Sequence, residues 1–378
     1  MASRRNEDER DGSSESGGRR RERVDRARRA TREAASAVRE RARRASGRAS
    51  EATAGASARA RDMAREMARR ARDRSVARVR TLGHQARAAV PPPLEPHLCF
   101  VQSPRRPIPP LVMSDSVRVA TYNVHRWQGA NGRARPDIAR AGYVISELDA
   151  DVIALQEVLR PFPGATAPAG RAGDPTGLLG PDGEDPLGRL CEELDLHLAF
   201  AVTRQHRHGQ LGNAILSRYP ITAISVLDIS FSRIERRGAL AARIGNAELG
   251  LGIVATHLSL VDRTRHRQVE SLLAHEALNS GPAILMGDMN AWRKCKGSVA
   301  LDASLGLHHN FDWPASFPST RPMLALDRIY TRNAAVVEIE EHDTPAARKA
   351  SDHLPVVARV ALEKTVDGEG DGGSGRIP

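Results

Sequence analysis

Cysteine is scarce in this chain, and its spacing excludes two classes of small stabilised protein. Cys99, Cys191 and Cys295 are the only three among 378 residues. An odd number without a C-x-x-C pair argues against a disulfide framework and against a structural zinc site. Because this usage is typical of a reducing compartment, we expect a cytoplasmic protein.

Long apolar runs are absent as well. The chain opens M-A-S-R-R-N-E-D-E-R, which contains no apolar core of a signal peptide. No stretch approaches the roughly 18–20 consecutive apolar residues that a membrane-spanning helix needs. We therefore expect a soluble protein or one that lies peripherally at a membrane.

Lysine and aromatic residues are missing from residues 1–90, where all the excess positive charge lies. This segment holds 26 Arg and 13 acidic residues, a net charge of +13. The whole chain carries +11, so the remaining residues carry −2. A segment so poor in apolar residues cannot offset its ordering entropy, which predicts a disordered or solvated helical tail. Clustered Arg would attract anionic lipid or nucleic acid.

Composition also divides the rest of the chain. Residues 91–114 are rich in proline, which predicts an extended linker. We expect the compact domain over 115–363 and a flexible tail over 364–378. Met113 stands just ahead of the first predicted strand, so translation from Met113 is an alternative in which residues 1–112 are not made. The intact mass of the native protein distinguishes the two starts.

Within the compact domain, strand patterns outnumber helix patterns. Helical spacing of apolar residues predicts helices over 136–148, 187–194 and 263–279. The Pro/Gly-rich stretch 160–186 is too long for a simple connector and is predicted to be a functional loop. Many strands, few helices and one core favour two packed sheets flanked by helices. The predicted strands are 117–122, 151–156, 213–217, 222–230, 238–244, 251–256, 282–287, 326–331, 335–341 and 355–361.

Short polar segments end several of these apolar runs. Each places Asn, Asp, Glu or His where a predicted buried strand stops. Seven such segments in order indicate a phosphate-cleaving site that uses a hard cation. They are T-Y-N-V-H (121–125), L-Q-E-V (155–158), G-N-A-I-L-S-R-Y-P-I (212–221), T-H-L (256–258), G-D-M-N-A-W (287–292), L-D-R-I-Y (326–330) and S-D-H-L-P-V (351–356).

The carboxylates in these segments are candidate metal ligands. Glu157 follows a predicted buried strand, and Asp288 and Asn290 flank Met289, so their side chains lie on one side of a strand end. A lone Asp after an apolar run is more often a turn or a helix cap. Two oxygen-bearing groups at this spacing are more specific, and hard oxygen ligands suit Mg²⁺ or Mn²⁺.

His353 is the candidate for proton transfer. It directly follows Asp352, and a second carboxylate, Asp327, leads the segment L-D-R-I-Y. An imidazole oriented by Asp is the expected apparatus for general acid–base catalysis near neutral pH, although a buried His is more often structural. The sequence has no G-x-S-x-G elbow, P-loop or H-E-x-x-H, so the main rival chemistries lack their motifs.

Taken in order, the seven segments resemble the endonuclease/exonuclease/phosphatase superfamily, in particular a mostly uncharacterised bacterial branch. The resemblance covers roughly residues 117–361, nearly the whole compact domain. It implies an α/β fold of the deoxyribonuclease I type, a four-layer sandwich of two mixed β-sheets with helices outside. It also implies a metal-dependent phosphoric ester hydrolase of the EC 3.1 type.

The resemblance implies a role for eight residues of this chain. Asn123, Glu157 and Asp352 correspond to a Mg²⁺ site, with Mn²⁺ as an alternative ion. His257 corresponds to the histidine that contacts the scissile phosphate. The other catalytic residues are Asp288 and Asn290, which orient the attacking water and stabilise the transition state, and His353, oriented by Asp327. Which residue acts as the general base stays open.

Other residues of these segments have two interpretations each. Arg237 either places a cation near the phosphate or is a solvated strand residue. Packing roles are the safer assumption for His125 and Trp292.

The substrate is less determined than the chemistry. The domain carries a net charge of −2, and the charged residues of the loop 160–186 are mainly acidic. This disfavours duplex DNA as the substrate and leaves a phospholipid headgroup or a small phosphoester. The alternative is an endo- or exodeoxyribonuclease that uses the Arg-rich tail to attract DNA. A less favoured alternative is an inactive binding module. No obligate protein partner is indicated.

Overall fold

The fold is seen here in a computed structural model. It describes residues 99–106, 113–163, 165, 178–179, 183–231, 235–245, 250–305 and 312–362. The segments 1–90 and 364–378 and most of the predicted loop 160–186 lie outside the described residues.

Seven strands form the first sheet, in the order β1-β4-β5-β3-β2-β12-β11. Only the pair β2–β3 is parallel. Its strands are β1 (Cys99–Gln102), β2 (Ser116–Asn123), β3 (Val152–Arg160), β4 (His197–His206), β5 (Gly209–Ser217), β11 (Ala334–Glu341) and β12 (Val356–Leu362).

The second sheet has five strands in the order β10-β9-β8-β7-β6. Here only β8 and β9 are parallel, and every residue of both strands is buried. Its strands are β6 (Ile221–Asp228), β7 (Gly238–Ile244), β8 (Leu251–His257), β9 (Ala283–Asp288) and β10 (Asp327–Arg332).

Five α-helices accompany the sheets among the described residues. Asp137 and Asp185 cap the first two by accepting hydrogen bonds from the backbone N–H groups of Ala139 and Leu187. None of the helices in the described ranges has the length and apolar character needed to span a bilayer. The helices are α1 (Ile138–Glu147), α2 (Pro186–Glu193), α3 (Asp262–Leu273), α4 (Lys296–Ser304) and α5 (Ala347–Ala350), with 3₁₀ turns at His125–Trp127 and Glu276–Leu278.

Alternating side chains of the strands build three apolar layers. In β3, Val152 faces the second sheet, where it joins Ile253 and Ile284, whereas Ile153 faces α1 and α2. In β9, Leu285 faces α3 and α4. The predicted four-layer α/β sandwich of two mixed sheets with helices outside is thereby confirmed.

The strand predictions within the domain match β2, β3, β5 to β10, β11 and β12 closely, but some other elements differ. The predicted helix 263–279 ends at Leu273, because His275 turns the chain by accepting a hydrogen bond from the Ala277 N–H. The strand β4 and the helix α4 were not predicted. Residues 99–102 of the predicted linker are extended but pair with β4 as an edge strand.

Gly287 allows the parallel strands β8 and β9 to approach each other near the site. Its φ is +152°, and a Cβ there would lie 1.9 Å from the Thr256 carbonyl oxygen of β8. Because this neighbour is backbone, it cannot move aside as a flexible side chain would. Any larger residue must push β9, which carries Asp288, away from β8.

Substituting Gly287→Ala is expected to lower the free energy of unfolding by about 3 kcal/mol, since overpacking against backbone has no cheap relaxation. Gly183→Ala is the matched control, because Gly183 also has a positive φ (+76°) but a Cβ there meets nothing within 4 Å. That control should cost only about 1 kcal/mol. Urea denaturation measures both, and equal losses would contradict the clash.

Candidate active site

Three predicted site residues lie side by side at one edge of the second sheet. His257 and Asp327 are the register partners of Asp288 across β8–β9 and β9–β10. On the first sheet, Asn123 ends β2, and its Nδ2 donates a hydrogen bond to Asp288 Oδ2 at 3.1 Å. The two sheets therefore bring their polar strand ends together in one buried cluster.

The imidazole of His353 is held by Asp327. His353 Nδ1 lies 2.7 Å from Asp327 Oδ2, and Ser316 Oγ donates to the same oxygen at 2.5 Å. The ring of Phe317 packs against the imidazole with centroids 4.9 Å apart. The other ring nitrogen, Nε2, lies 3.8 Å from Asp288 Oδ2. This arrangement can orient the imidazole and favour its protonated form.

Asp288 is the centre of the cluster. Its Oδ1 accepts a hydrogen bond from the Asn290 N–H at 2.9 Å, and its Oδ2 lies 3.4 Å from His257 Nε2. Asn290 has a left-handed backbone (φ +48°), and its Nδ2 donates to the Leu258 carbonyl at 2.9 Å. The side chains of Asp288 and Asn290 are thus both fixed by hydrogen bonds.

Glu157 enters the cluster from an irregularity in β3. The register of β3 against β5 shifts between Leu155 and Val158, and Glu157 has φ +53°. Glu157 Oε2 is buried and has no hydrogen-bond partner among the described residues, although Arg126 Nε lies 3.1 Å away. A buried carboxylate oxygen that has an ion contact but accepts no hydrogen bond can still take a further ligand.

Asp352, the third predicted metal ligand, lies at the same end of the domain. Its Oδ1 is 3.2 Å from His125 Nδ1. The neighbouring Ser351 Oγ donates to the Asn123 carbonyl at 2.6 Å, which ties this segment to the end of β2. Burial raises the pKa of Asp352, and the negative charge of Glu157 adds to the rise.

His125 and Arg126 are site residues that the sequence did not reveal. Both have left-handed backbones, with φ of 46° and 56°, and they face Asp352 and Glu157 respectively. Strained backbone of this kind is often found at functional sites. The packing role expected for His125 does not describe this contact. The sequence places His125 within T-Y-N-V-H, but no motif indicates the two ion contacts.

Arg237 also lies near the cluster. Its Nη2 is 3.1 Å from Glu235 Oε1, and its positive charge lowers the pKa of both His257 and Glu157. The first of the two interpretations, a cation near the site, therefore describes it better. Trp292 is half-buried beneath Arg293, whose guanidinium carbon lies 4.7 Å from the ring centroid.

Burial and neighbouring charges shift the pKa values of the central groups. Burial raises the pKa of Asp288 to about 7, with Asp327 adding to the rise and His353 opposing it. Burial lowers the pKa of His353, but the carboxylates of Asp327 and Asp288 outweigh it and raise that pKa to about 10. The central imidazole is therefore cationic at neutral pH.

The flanking groups shift the other way. Burial, with Arg237 and His353 nearby, holds the pKa of His257 well below its ordinary value, so His257 is neutral. Burial alone would raise the pKa of Glu157, but Arg126, His125 and Arg237 lower it overall. Glu157 is therefore an anion available to a cation.

Two groups of side chains could hold a metal ion. The ligand atoms of Asp288, Asp327 and His353 all lie within 4.8 Å of one another. These are residues predicted to be catalytic, and hydrogen bonds or ion contacts already engage their atoms. The predicted metal set of Asn123, Glu157 and Asp352 offers oxygen atoms, and one of them, Glu157 Oε2, accepts no hydrogen bond from the described residues.

Comparison with known proteins gives a consistent family assignment. A sequence model of the Endonuclease/Exonuclease/phosphatase family matches residues 120–353, a span that contains all eight predicted site residues. The uncharacterized protein YbhP of Escherichia coli (strain K12) is 30% identical over 260 residues, which cover 65% of this chain and 97% of YbhP.

Solved structures share the fold. An endonuclease/exonuclease/phosphatase from Bacteroides vulgatus has a TM-score of 0.51 and 16% identity, over 66% of this chain and 99% of that chain. Another from Beutenbergia cavernae has a TM-score of 0.48 and 23% identity, over 66% of this chain and 72% of that chain. The first of these similarities supports the α/β sandwich and no finer property.

Asp327→Asn is expected to lower the pKa of His353 in metal-free protein, because the carboxylate that raises this pKa most is removed while burial, which lowers it, remains. NMR titration of the imidazole nitrogens measures this. Wild-type His353 should stay protonated up to pH about 10, whereas the variant should lose its proton near or below neutrality. Ser316→Ala, which keeps the carboxylate, is the control. An unchanged titration in Asp327→Asn would refute the pairing.

Proposed function

The chain belongs to the endonuclease/exonuclease/phosphatase family, whose members hydrolyse phosphoesters, and on that basis we propose a Mg²⁺-dependent hydrolase that cleaves by direct attack of water. The observation that carries the proposal is the position of Asp288. Its Oδ2 lies 3.1 Å from Asn123 Nδ2, 3.4 Å from His257 Nε2 and 3.8 Å from His353 Nε2. A carboxylate, two imidazoles and an amide converge there.

The metal ligands in this proposal are Asn123, Glu157 and Asp352. Their donor atoms are the hard oxygens that Mg²⁺ or Mn²⁺ prefers. Glu157 Oε2 supports the fit, because it is buried without a hydrogen-bond partner among the described residues. When bound, the ion supplies charge neutralisation at the phosphate and a lower pKa for water.

The chain's own groups position the reactants. Asp288, fixed by the Asn290 N–H and by Asn123, orients the attacking water and takes its proton. The water oxygen bonds to phosphorus, the bond from phosphorus to the leaving oxygen breaks, and the released alkoxide takes up a proton from solvent to leave as the alcohol. His353, kept cationic by Asp327, stabilises the charge that develops on the phosphoryl oxygens, and neutral His257 contacts one of them.

His353→Ala is expected to lower kcat for bis(p-nitrophenyl) phosphate or p-nitrophenyl phosphate by about 10³-fold, since the cation that stabilises the charge developing on the phosphoryl oxygens is lost. His197→Ala is the matched control, because His197 starts β4 and its Nδ1 contacts Ser103 Oγ, which is not a site residue. Initial rates with Mg²⁺ or Mn²⁺ provide the measurement. Full activity in His353→Ala would refute the site assignment, and no hydrolysis by the wild type would refute the enzyme.

Glu157→Gln is expected to raise the Mg²⁺ concentration needed for half-maximal activity by at least about tenfold, because a charged oxygen ligand becomes neutral. Isothermal titration of Mn²⁺ into the protein provides a readout that is independent of turnover. Glu147→Gln is the control, since Glu147 contacts His342 and Thr344 away from the cluster. Unchanged Mn²⁺ affinity in Glu157→Gln would remove Glu157 from the metal site.

A further inference from the structure

Exposed apolar side chains lie just beyond the catalytic edge, the edge of the second sheet where His257, Asp288 and Asp327 lie side by side. Phe231, Leu260 and Val261 are 43%, 45% and 56% exposed. Leu260 and Val261 follow His257, the last residue of β8, by only three and four positions. Single exposed apolar residues are ordinary, but a group beside a reaction site indicates a contact surface.

Hydrogen bonds hold this group on one face. Gln268 of α3 donates through Nε2 to the Ile229 carbonyl at 3.0 Å and accepts the Ser259 N–H at 2.8 Å. The segments that carry Phe231 and Leu260 are therefore both attached to α3. The guanidinium carbon of Arg267, also on α3, lies 5.3 Å from the Phe231 ring centroid. The apolar group and the exposed side of α3 form one continuous surface.

A basic groove of about 700 Å³ continues from this surface. Arg263, Arg267, Lys294 and Lys296 are exposed and form no ion pair with any described residue. The carboxylates of the groove already form ion pairs, since Asp262 pairs with Arg265 and Arg293 and Glu270 pairs with His266. The groove is lined by Asp262, Arg263, His266, Arg267, Glu270, Arg293, Lys294, Cys295 and Lys296.

We propose that Phe231, Leu260, Val261 and the basic groove form an interfacial surface that docks the chain on anionic phospholipid bilayers beside its catalytic edge. Cations beside exposed apolar side chains are the combination that such a bilayer attracts and buries. A nucleic acid would satisfy the cations and leave Leu260 and Val261 in water, so the lipid surface accounts for more of the structure.

Docking goes beyond the proposed hydrolysis, because vesicle binding needs no turnover. Naming phospholipid phosphoesters as the substrate class does rest on the proposed function. The two are separable if binding is measured in EDTA, where a metal-dependent reaction cannot proceed. A chain that binds vesicles but hydrolyses no phosphoester would contradict only the proposed function. A chain that hydrolyses phosphoesters but does not bind vesicles would contradict only the docking proposal.

The first test is co-sedimentation of the full chain in EDTA with phosphatidylcholine vesicles that contain phosphatidylglycerol. Arg263→Gln/Arg267→Gln should weaken binding about 25-fold, since each cation near such a surface contributes about fivefold. Arg105→Gln/Arg106→Gln removes equal charge beyond β1, at the far edge of the other sheet, and should change binding little. Equal losses in both variants would overturn the proposal.

The second test detects insertion at the surface itself. When these vesicles are added, the tryptophan fluorescence of Val261→Trp should shift to shorter wavelength. Lipids with brominated acyl chains should quench it. Val337→Trp is the control, because Val337 is 38% exposed on β11 of the other sheet. Tryptophan emission of Val261→Trp that stays unquenched would overturn the proposal.

A single-stranded oligonucleotide serves as the competing probe. The proposal expects weak oligonucleotide binding that Leu260→Ser/Val261→Ser leaves unchanged, while the same substitution weakens vesicle binding about tenfold or more. Oligonucleotide binding that depends on Arg263 and Arg267, together with no binding to vesicles, would assign the groove to nucleic acid instead.

Discussion

The register of three strand ends is the constraint on which the site depends. Pairing of β8 with β9 and of β9 with β10 sets His257, Asp288 and Asp327 side by side. The strands β8 and β9 are parallel, so they require a crossover connection, which contains α3. Both strands are buried. Gly287 permits the close approach to Thr256. A shift of one residue along β9 would turn Asp288 to the opposite face.

The two sheets divide the work of the site. The five-stranded sheet carries Asp288 and Asp327, the carboxylates proposed to be catalytic, whereas the seven-stranded sheet supplies Asn123 and Glu157, two of the proposed metal ligands. The hydrogen bond from Asn123 to Asp288 joins them across the sandwich. This division explains why two candidate ligand groups coexist, one joined by hydrogen bonds and ion contacts around His353 and one in which Glu157 Oε2 accepts no hydrogen bond from the described residues.

Much of this architecture was predictable, because strand periodicity and the polar ends of strands are local properties of the sequence. The fold and most strand bounds followed from such patterns, and the family resemblance named the residues that the structure brings together. The strand β4 was missed because its last four residues, T-R-Q-H, are polar and only partly buried. The edge strand β1 was missed because it lies in a proline-rich segment.

Contacts made by long-range geometry could not be predicted in this way. The contacts of His125 and Arg126 with Asp352 and Glu157 depend on left-handed backbone and on strands far apart in sequence. The basic groove joins α3 to residues 293–296, which no local pattern connects. Such features depend on tertiary packing, so a single sequence shows the chemistry of a site more readily than its surroundings.

The most direct test of the account is a crystal structure with Mn²⁺, in which anomalous scattering locates the ion. We predict an anomalous peak that places the Mn²⁺ ion between the oxygens of Glu157 and Asp352, with the His353–Asp327 hydrogen bond intact. A peak bound instead by Asp288, Asp327 and His353, or none at either group, would contradict the proposed division between metal ligands and proton-handling residues.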